Sequence, residues 1–182
     1  MGLAPAAVLG HSMGGAVAFH LARRRPDLVP ALVVADMTTL NREPETRPVL
    51  DVTGRPRRVP SRGALREALE ERGVPAGYFL DSAAEFEDGW GFLFDAGDMA
   101  ASQENLTGDF TEVRNASAQP ALLLRAARSF LLTPATARRM ASERANTRLV
   151  EIPDCGHWIP TDAPGALARH VGAFLDGLSP AP

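Results

Sequence analysis

Ala6-Ala7-Val8-Leu9-Gly10-His11-Ser12-Met13-Gly14-Gly15-Ala16-Val17 reads as a strand, a tight turn and the start of a helix. Residues 6–9 are a short apolar run that stops at Gly10. From Ala16 the apolar residues Val17, Phe19 and Leu21 recur at helical spacing until Pro26. The turn between them carries the pattern Gly-x-Ser-x-Gly, with Ser12 at its tip. A turn this sharp forces the serine into a strained backbone, so the residues two before and two after it have to be small, and Gly10 and Gly14 meet that demand. The alternative, a glycine-rich helix cap, has no need of the full pattern.

Outward from this turn the chain alternates strands and helices. Ala31-Leu32-Val33-Val34-Ala35 is a continuous apolar run, too short for a helix and ending at Asp36, which predicts a buried parallel strand. Residues 38–60 are rich in Pro, Arg, Glu and Thr with no sustained period and predict an irregular surface excursion. Ser61 then caps a helical pattern through Glu70, and Tyr78 to Phe94 concentrates much of the aromatic content. This texture predicts a helical lid, whose aromatics either pack the lid onto the body or touch a substrate. Ala121-Leu122-Leu123-Leu124 predicts the next strand, Pro134 to Arg144 a helix with proline in its first turn, Arg148 to Ile152 a further strand, and Ala163 to Leu175 a closing amphipathic helix. The order implies a parallel sheet flanked by helices, an α/β fold with its core in residues 1–37 and 118–182 and the excursion and lid in 38–117.

Composition narrows the class. With 182 residues and 45% hydrophobic content the chain can build one packed core. Its net charge is −3 with a sequence pI near 5.8, and the basic residues are scattered in short groups, so nucleic acid is not an expected partner. All 19 basic residues are arginine, a bias of the kind GC-rich coding produces. The single cysteine, Cys155, cannot form an intramolecular disulfide and reads as a small buried apolar residue, compatible with a reducing cytoplasm. Residues 1–5 carry no basic leader segment, position 6 is Ala where a myristoylation pattern needs Ser or Thr, and no stretch approaches a bilayer span. The expectation is a cytoplasmic protein without membrane contact.

A serine hydroxyl becomes a useful nucleophile only when a positioned base takes its proton. Of four histidines, His20 and His170 lie inside expected helices. His11 lies within the turn, with its ring expected to point away from the serine and to serve structure. His157, in Asp154-Cys155-Gly156-His157-Trp158, follows the last strand, on the sheet edge where α/β proteins gather their reactive groups. Ser12 as nucleophile and His157 as base are the expected pair, with the Met13 N–H and the positive end of the helix facing any oxyanion formed beside Ser12.

Gly10-His11-Ser12-Met13-Gly14-Gly15 together with Ile152-Pro153-Asp154-Cys155-Gly156-His157-Trp158 resembles the α/β-hydrolase family, over essentially the whole chain from residue 6. In that family the serine, acid and histidine follow one another in this order. The acid usually stands in the turn after the strand that corresponds to Ala121–Leu124. Here Arg125-Ala126-Ala127-Arg128-Ser129-Phe130 puts Phe130 in its place, and a phenyl ring can neither accept the histidine N–H nor stabilise imidazolium. A second family arrangement sets the acid after the preceding strand, where Asp36 stands, 24 residues beyond Ser12. This resembles a subgroup of small bacterial esterases in which a serine, here Ser129, supports the acid by a hydrogen bond. Asp36 is the preferred acid, although its position also suits a strand-end cap. Asp154 lies too near His157 in sequence, and Asp162 is expected to open the last helix.

The resemblance implies a hydrolase of carboxylic esters or thioesters acting on a small molecule through an acyl-enzyme, with no metal and no cofactor. It also implies that the sheet strands that precede the nucleophile strand in the family, and the loop that supplies a second oxyanion donor, are not in this sequence. This chain therefore corresponds to the C-terminal portion of the fold, which fits a fragment, a mis-assigned start, or a protein that borrows the missing half. An uncovered strand edge invites self-association. The competing expectation is a catalytically impaired remnant or an interaction module.

Overall fold

The computed structural model describes residues 4–43 and 56–178; residues 44–55 of the irregular excursion lie outside them. In chain order the elements are β1 (Val8–His11), α1 (Met13–Arg24), β2 (Leu32–Ala35), β3 (Leu40–Asn41), α2 (Arg62–Glu70), α3 (Ala76–Leu80), β4 (Ala83–Phe86), β5 (Gly89–Phe92), α4 (Ala96–Glu104), β6 (Gly108–Asp109), α5 (Thr111–Asn115), β7 (Ala121–Arg128), α6 (Pro134–Glu143), β8 (Thr147–Gly156), α7 (Ile159–Asp162) and α8 (Pro164–Asp176). They form two compact units, Met1–Pro48 with Leu106–Pro182, and Val49–Asn105.

The first unit is a four-stranded parallel sheet in the order β1-β2-β7-β8. All of β2 is buried because both faces of the sheet are covered, which is why its sequence is apolar throughout rather than alternating. On one face Val34 and Leu123 pack against Ala18, Phe19 and Ala22 of α1 and Ala137 and Met140 of α6. On the other, Val33, Leu122, Leu124 and Ile152 pack against Ile159 of α7 and Phe174 of α8. β7 and β8 are longer than their apolar runs. β7 continues through Arg125 to Arg128 with a register irregularity after Ala126, and β8 reaches Gly156. Thr133 caps α6 by accepting from Thr136 N–H at 3.1 Å, with Pro134 in the first turn as expected.

The boundaries of the core move outward from those read in the sequence. Leu40 pairs antiparallel with Asp109 and Asn41 with Gly108, and Val113 of α5 packs on the α1 face of the core, so the stretches flanking residue 38 and residue 117 belong to the sheet unit. The second unit is also not helical throughout. Ser61 does cap α2, accepting from Ala64 N–H at 3.1 Å, but β4 and β5 form a hairpin with Phe86 opposite Gly89 across Glu87-Asp88. Asp88-Gly89, with Gly89 at φ 122°, is the turn signal that the helical reading passed over. The aromatics of this unit pack on one another. Phe92 and Phe94 stack at 4.8 Å, Phe79 lies 6.3 Å from each, and the Arg58 guanidinium sits 3.6 Å over Phe86.

Close approach at the β1–α1 turn falls on Gly10 and Gly15 rather than on Gly14. A Cβ on Gly10 would stand 2.1 Å from the Gly14 carbonyl oxygen, and one on Gly15 would stand 2.9 Å from Met37 Cβ and Val34 Cγ1, whereas one on Gly14 would meet nothing within 4 Å. Gly14 contributes its backbone to the contact with Gly10, while its own Cα hydrogen points outward from the helix. Gly10→Ala is therefore expected to cost about 3 kcal/mol or more, beyond ordinary overpacking, and Gly15→Ala about 1–3 kcal/mol. Gly14→Ala is expected not to lower Tm. Thermal denaturation of the three variants checks this order, and a Gly14→Ala loss as large as that of Gly10→Ala would contradict it.

Candidate active site

Three strands end at one edge of the sheet and bring three side chains together there. β1 ends into Ser12, whose φ of 53° and ψ of −125° are left-handed and strained for a residue with a Cβ. The turn is held by Ser12 N–H donating to the Ala35 carbonyl at 2.9 Å and by Gly15 N–H donating to the Ser12 carbonyl at 2.8 Å. β2 ends into Asp36, again at positive φ, 49°, with its N–H on the Leu124 carbonyl at 2.8 Å. The loop after β8 carries His157, which is 3% exposed.

The Asp36 carboxylate is wholly buried at 0% exposure, so its oxygens have to find donors inside the protein. Oδ1 accepts from Ala126 N–H at 2.9 Å. Oδ2 accepts from Ser129 Oγ–H at 2.5 Å and from His157 Nδ1 at 2.8 Å. With Nδ1–H committed to Asp36, the lone pair of His157 Nε2 faces the Ser12 hydroxyl, 2.9 Å away. The arrangement is a continuous chain of hydrogen bonds from a hydroxyl through an imidazole to a buried carboxylate, able to take a proton from Ser12 and to stabilise the imidazolium that results.

Of the other residues singled out in the sequence, Met13 opens α1, so its N–H belongs to the first turn, whose amides lack intrahelical acceptors. Ser129 touches the carboxylate directly, while Phe130, one residue on, lays its ring 4.7 Å from the His157 ring and remains 55% exposed. His11 does not turn away from this cluster. Its Nε2–H donates to the His157 carbonyl at 2.7 Å, and its ring lies 4.8 Å from that of His157. This bond ties the β1–α1 turn to the backbone of the His157 loop. His20 packs edge-on against Phe110, and His170 lies on α8. Asp154 is exposed and uses its carbonyl to accept from Arg128. Asp162 closes α7 and accepts from Gly156 N–H at 3.0 Å, tying the His157 loop back on itself. It does not open α8, whose cap is Ala163. Cys155 is buried, and burial pushes its thiol up.

One residue near the carboxylate escaped the sequence reading. Arg125 is 4% exposed and sits in the strand between Leu124 and Ala126. A charged side chain inside an apolar run has to be partnered if the run is buried, and that was the signal that marked it. Among the described residues no group of three or more His, Cys, Asp or Glu side chains could hold a metal ion, and no helix is long and apolar enough to cross a membrane.

The sequence profile of the alpha/beta hydrolase family matches residues 2–170. The chain is similar to the sn-1-specific diacylglycerol lipase ABHD11 of Mus musculus, 25% identical over 187 residues that span 96% of this chain and 60% of the lipase. Among solved structures it is similar to E-2-(acetamidomethylene)succinate hydrolase, with a TM-score of 0.79, 20% identity, and coverage of 96% of this chain and 68% of that one. A marine microorganism esterase gives a TM-score of 0.75 at 20% identity, covering 93% of this chain and 70% of the esterase. The chain thus spans 60% of the length of the mouse lipase it matches.

Burial lowers the pKa of the His11 ring below its ordinary 6.5, against the opposing pull of its hydrogen bond to the His157 carbonyl. A base with a depressed folded pKa is held neutral by the fold. Its contribution is complete above the unfolded value and is lost as pH falls through that value toward the folded one. Replacing His11 by Gln keeps an N–H for the His157 carbonyl and removes the titration. His11→Gln is expected to flatten the fall of Tm between about pH 7 and pH 5. A variant whose Tm falls with the wild-type slope would contradict this reading.

Proposed function

The chain belongs to the alpha/beta hydrolase family, and on that premise we propose that it is a serine hydrolase of carboxylic esters or thioesters. The observation that carries the proposal is the unbroken chain from Ser12 Oγ to His157 at 2.9 Å and from His157 to Asp36 at 2.8 Å. Ser12 Oγ attacks the acyl carbonyl while His157 Nε2 takes its proton, and the oxyanion forms beside the Met13 N–H at the start of α1. Collapse breaks the bond to the alcohol or thiol, which leaves with the proton from His157. Water then enters by the same route, and the acid is released. Asp36 holds the Nδ1–H tautomer throughout, with Ser129 supporting it. This chemistry requires neither metal nor cofactor. The name of the mouse relative, a diacylglycerol lipase, supports an ester as the bond class. The unit Val49–Asn105 is proposed as the lid that selects the substrate, on the ground of its place in the chain between β2 and β7.

A fluorophosphonate probe tests nucleophile activation without a guessed substrate. Labelling of the folded protein that disappears in Ser12→Ala and after heat denaturation is the expected result. Absence of labelling in a folded sample would overturn the proposal. Asp36→Asn is expected to slow labelling by about 10³–10⁴-fold through the wrong imidazole tautomer, while exposed Asp154→Asn leaves it near the wild-type rate. Equal effects of the two changes would remove Asp36 from its role.

A second reading is favoured by one observation. Among the described residues β1 bonds to β2 alone, with Leu9 45% exposed beside its free edge. In this reading the chain is an interaction module that associates with a second copy through that edge and does not turn over. Light scattering alongside labelling separates the two readings. A dimer that does not label is its expected signature, and a labelling monomer would exclude it.

A further inference from the structure

Arg125 is a buried charge with no place in the proposed chemistry, and its hydrogen bonds lead back to the acid. Its side chain enters the face of the sheet where Leu123, Leu131 and Leu132 pack, a setting in which an apolar residue of similar size would need no partners. Its Nε–H donates instead to the Leu132 carbonyl at 2.8 Å and its Nη2–H to the Ala127 carbonyl at 3.2 Å. Its Nη1–H donates to Glu151 Oε2 at 2.5 Å. One carbonyl lies at the irregularity in β7 and the other just beyond the strand, and Ser129 stands between them.

Within the loop every valence of the Ser129 hydroxyl is used. Its oxygen accepts from Leu131 N–H at 3.1 Å and from Leu132 N–H at 2.8 Å, which fills both lone pairs. The single remaining proton is thereby directed at Asp36 Oδ2, 2.5 Å away. Leu132 is the hinge of the arrangement, since its N–H holds the serine oxygen while its carbonyl is held by Arg125.

We propose that Arg125 is a positioning residue for the acid: its planar fork clamps residues 127–132 so that Ser129 can donate only to Asp36, which in turn fixes the His157 tautomer. The inference rests on the hydrolase reading for its kinetic consequence but not for its structural one. Lysine does not replace the fork, because one ammonium cannot span both carbonyls in these directions. Glu151, 55% exposed in its side chain, supplies the counter-charge on the next strand, and the two carbonyl bonds are the contacts that reach the loop.

The test uses the full 182-residue chain as wild type, Arg125→Met, Ser129→Ala, the double variant, and Arg125→Lys should Met cost the fold. Two quantities are read on samples shown to be folded. The first is the rate of fluorophosphonate labelling; the second is the ring ¹⁵N chemical shifts of His157, which report its tautomer. Arg125→Met is expected to slow labelling by about 10²-fold, the scale of a misplacement of about 1 Å, and to mix the two His157 tautomers. Because Arg125 acts through Ser129, the double variant is expected to be no slower than Ser129→Ala. Arg144→Lys, a change in another buried arginine that binds Ser117, Gln119 and Thr147, is expected to lower Tm and leave the tautomer unchanged. Rates that multiply in the double variant, or a His157 tautomer unmoved by Arg125→Met, would overturn the clamp. If wild type does not label at all, the hydrolase reading fails and the tautomer alone decides the clamp, its mixing in Arg125→Met supporting it and its retention overturning it.

Discussion

A carboxylate with no exposure to solvent is the most demanding group in the sheet unit, and Asp36 is held by three donors drawn from three places in the chain. Ala126 N–H comes from the strand next to its own, Ser129 from the loop beyond that strand, and His157 from the loop after the last one. Leaving any of these unmade would strand a buried acceptor, at a cost of about 1–3 kcal/mol for a neutral group and more for a charged one. The register of β2 against β7, the irregularity after Ala126 and the path of the His157 loop are thus coupled through one side chain. The irregularity follows the residue whose N–H reaches Asp36 Oδ1, and beyond it the chain is free to bring Ser129 under Oδ2.

Strain is concentrated at the same edge. Ser12 and Asp36 both have positive φ and each directly follows the last residue of a parallel strand, and Asp154, also at positive φ, lies near the carboxyl end of β8. Each such residue costs about 1–3 kcal/mol and survives only when its surroundings over-determine it. For Ser12 the determinants are the Ala35 and Gly15 backbone bonds, and for Asp36 they are the Leu124 carbonyl and the three donors. Open parallel sheets bind their ligands outside the carboxyl ends of their strands, and it is at that edge that Ser12, Asp36 and His157 meet here.

The parts legible in the sequence are those where one physical demand dominates. Leu32 to Ala35 had to be apolar on both faces, Ser61 had to cap, Pro134 had to sit in the first turn of its helix, and a serine between glycines had to turn sharply. What escaped the reading involved two demands at once. Arg125 to Arg128 hid the continuation of β7, since charges inside a strand look like its end unless the partners, which are distant in sequence, are known. Asp88-Gly89 was masked by helical neighbours on both sides. The pattern singles out Gly14, and only the packing of Val34 and Met37 against the helix shows that its neighbour Gly15 is the one with no room for a Cβ. Asp36 was singled out by a departure, the phenylalanine at position 130, together with its own place after β2, 24 residues beyond Ser12.

That departure also shapes the surface around the imidazole. With the proposed acid on β2, the loop after β7 no longer supplies a carboxylate. Ser129 keeps the polar contact below the ring, and Phe130 is released to lie against its side. Trp158 meets the same imidazole edge-on at 4.9 Å, and the ring of His11, whose pKa burial lowers, lies 4.8 Å away. The ring is therefore polar along one axis, from Ser12 to Asp36, and faces aromatic groups at its sides. Water is kept from the flanks of the imidazole by rings, and the electrostatic contacts along that axis act in a lower dielectric than an exposed histidine would experience. The exposed part of Phe130 then presents an apolar surface beside the imidazole, so placing the carboxylate after β2 changes what surrounds the ring as well as how it is held.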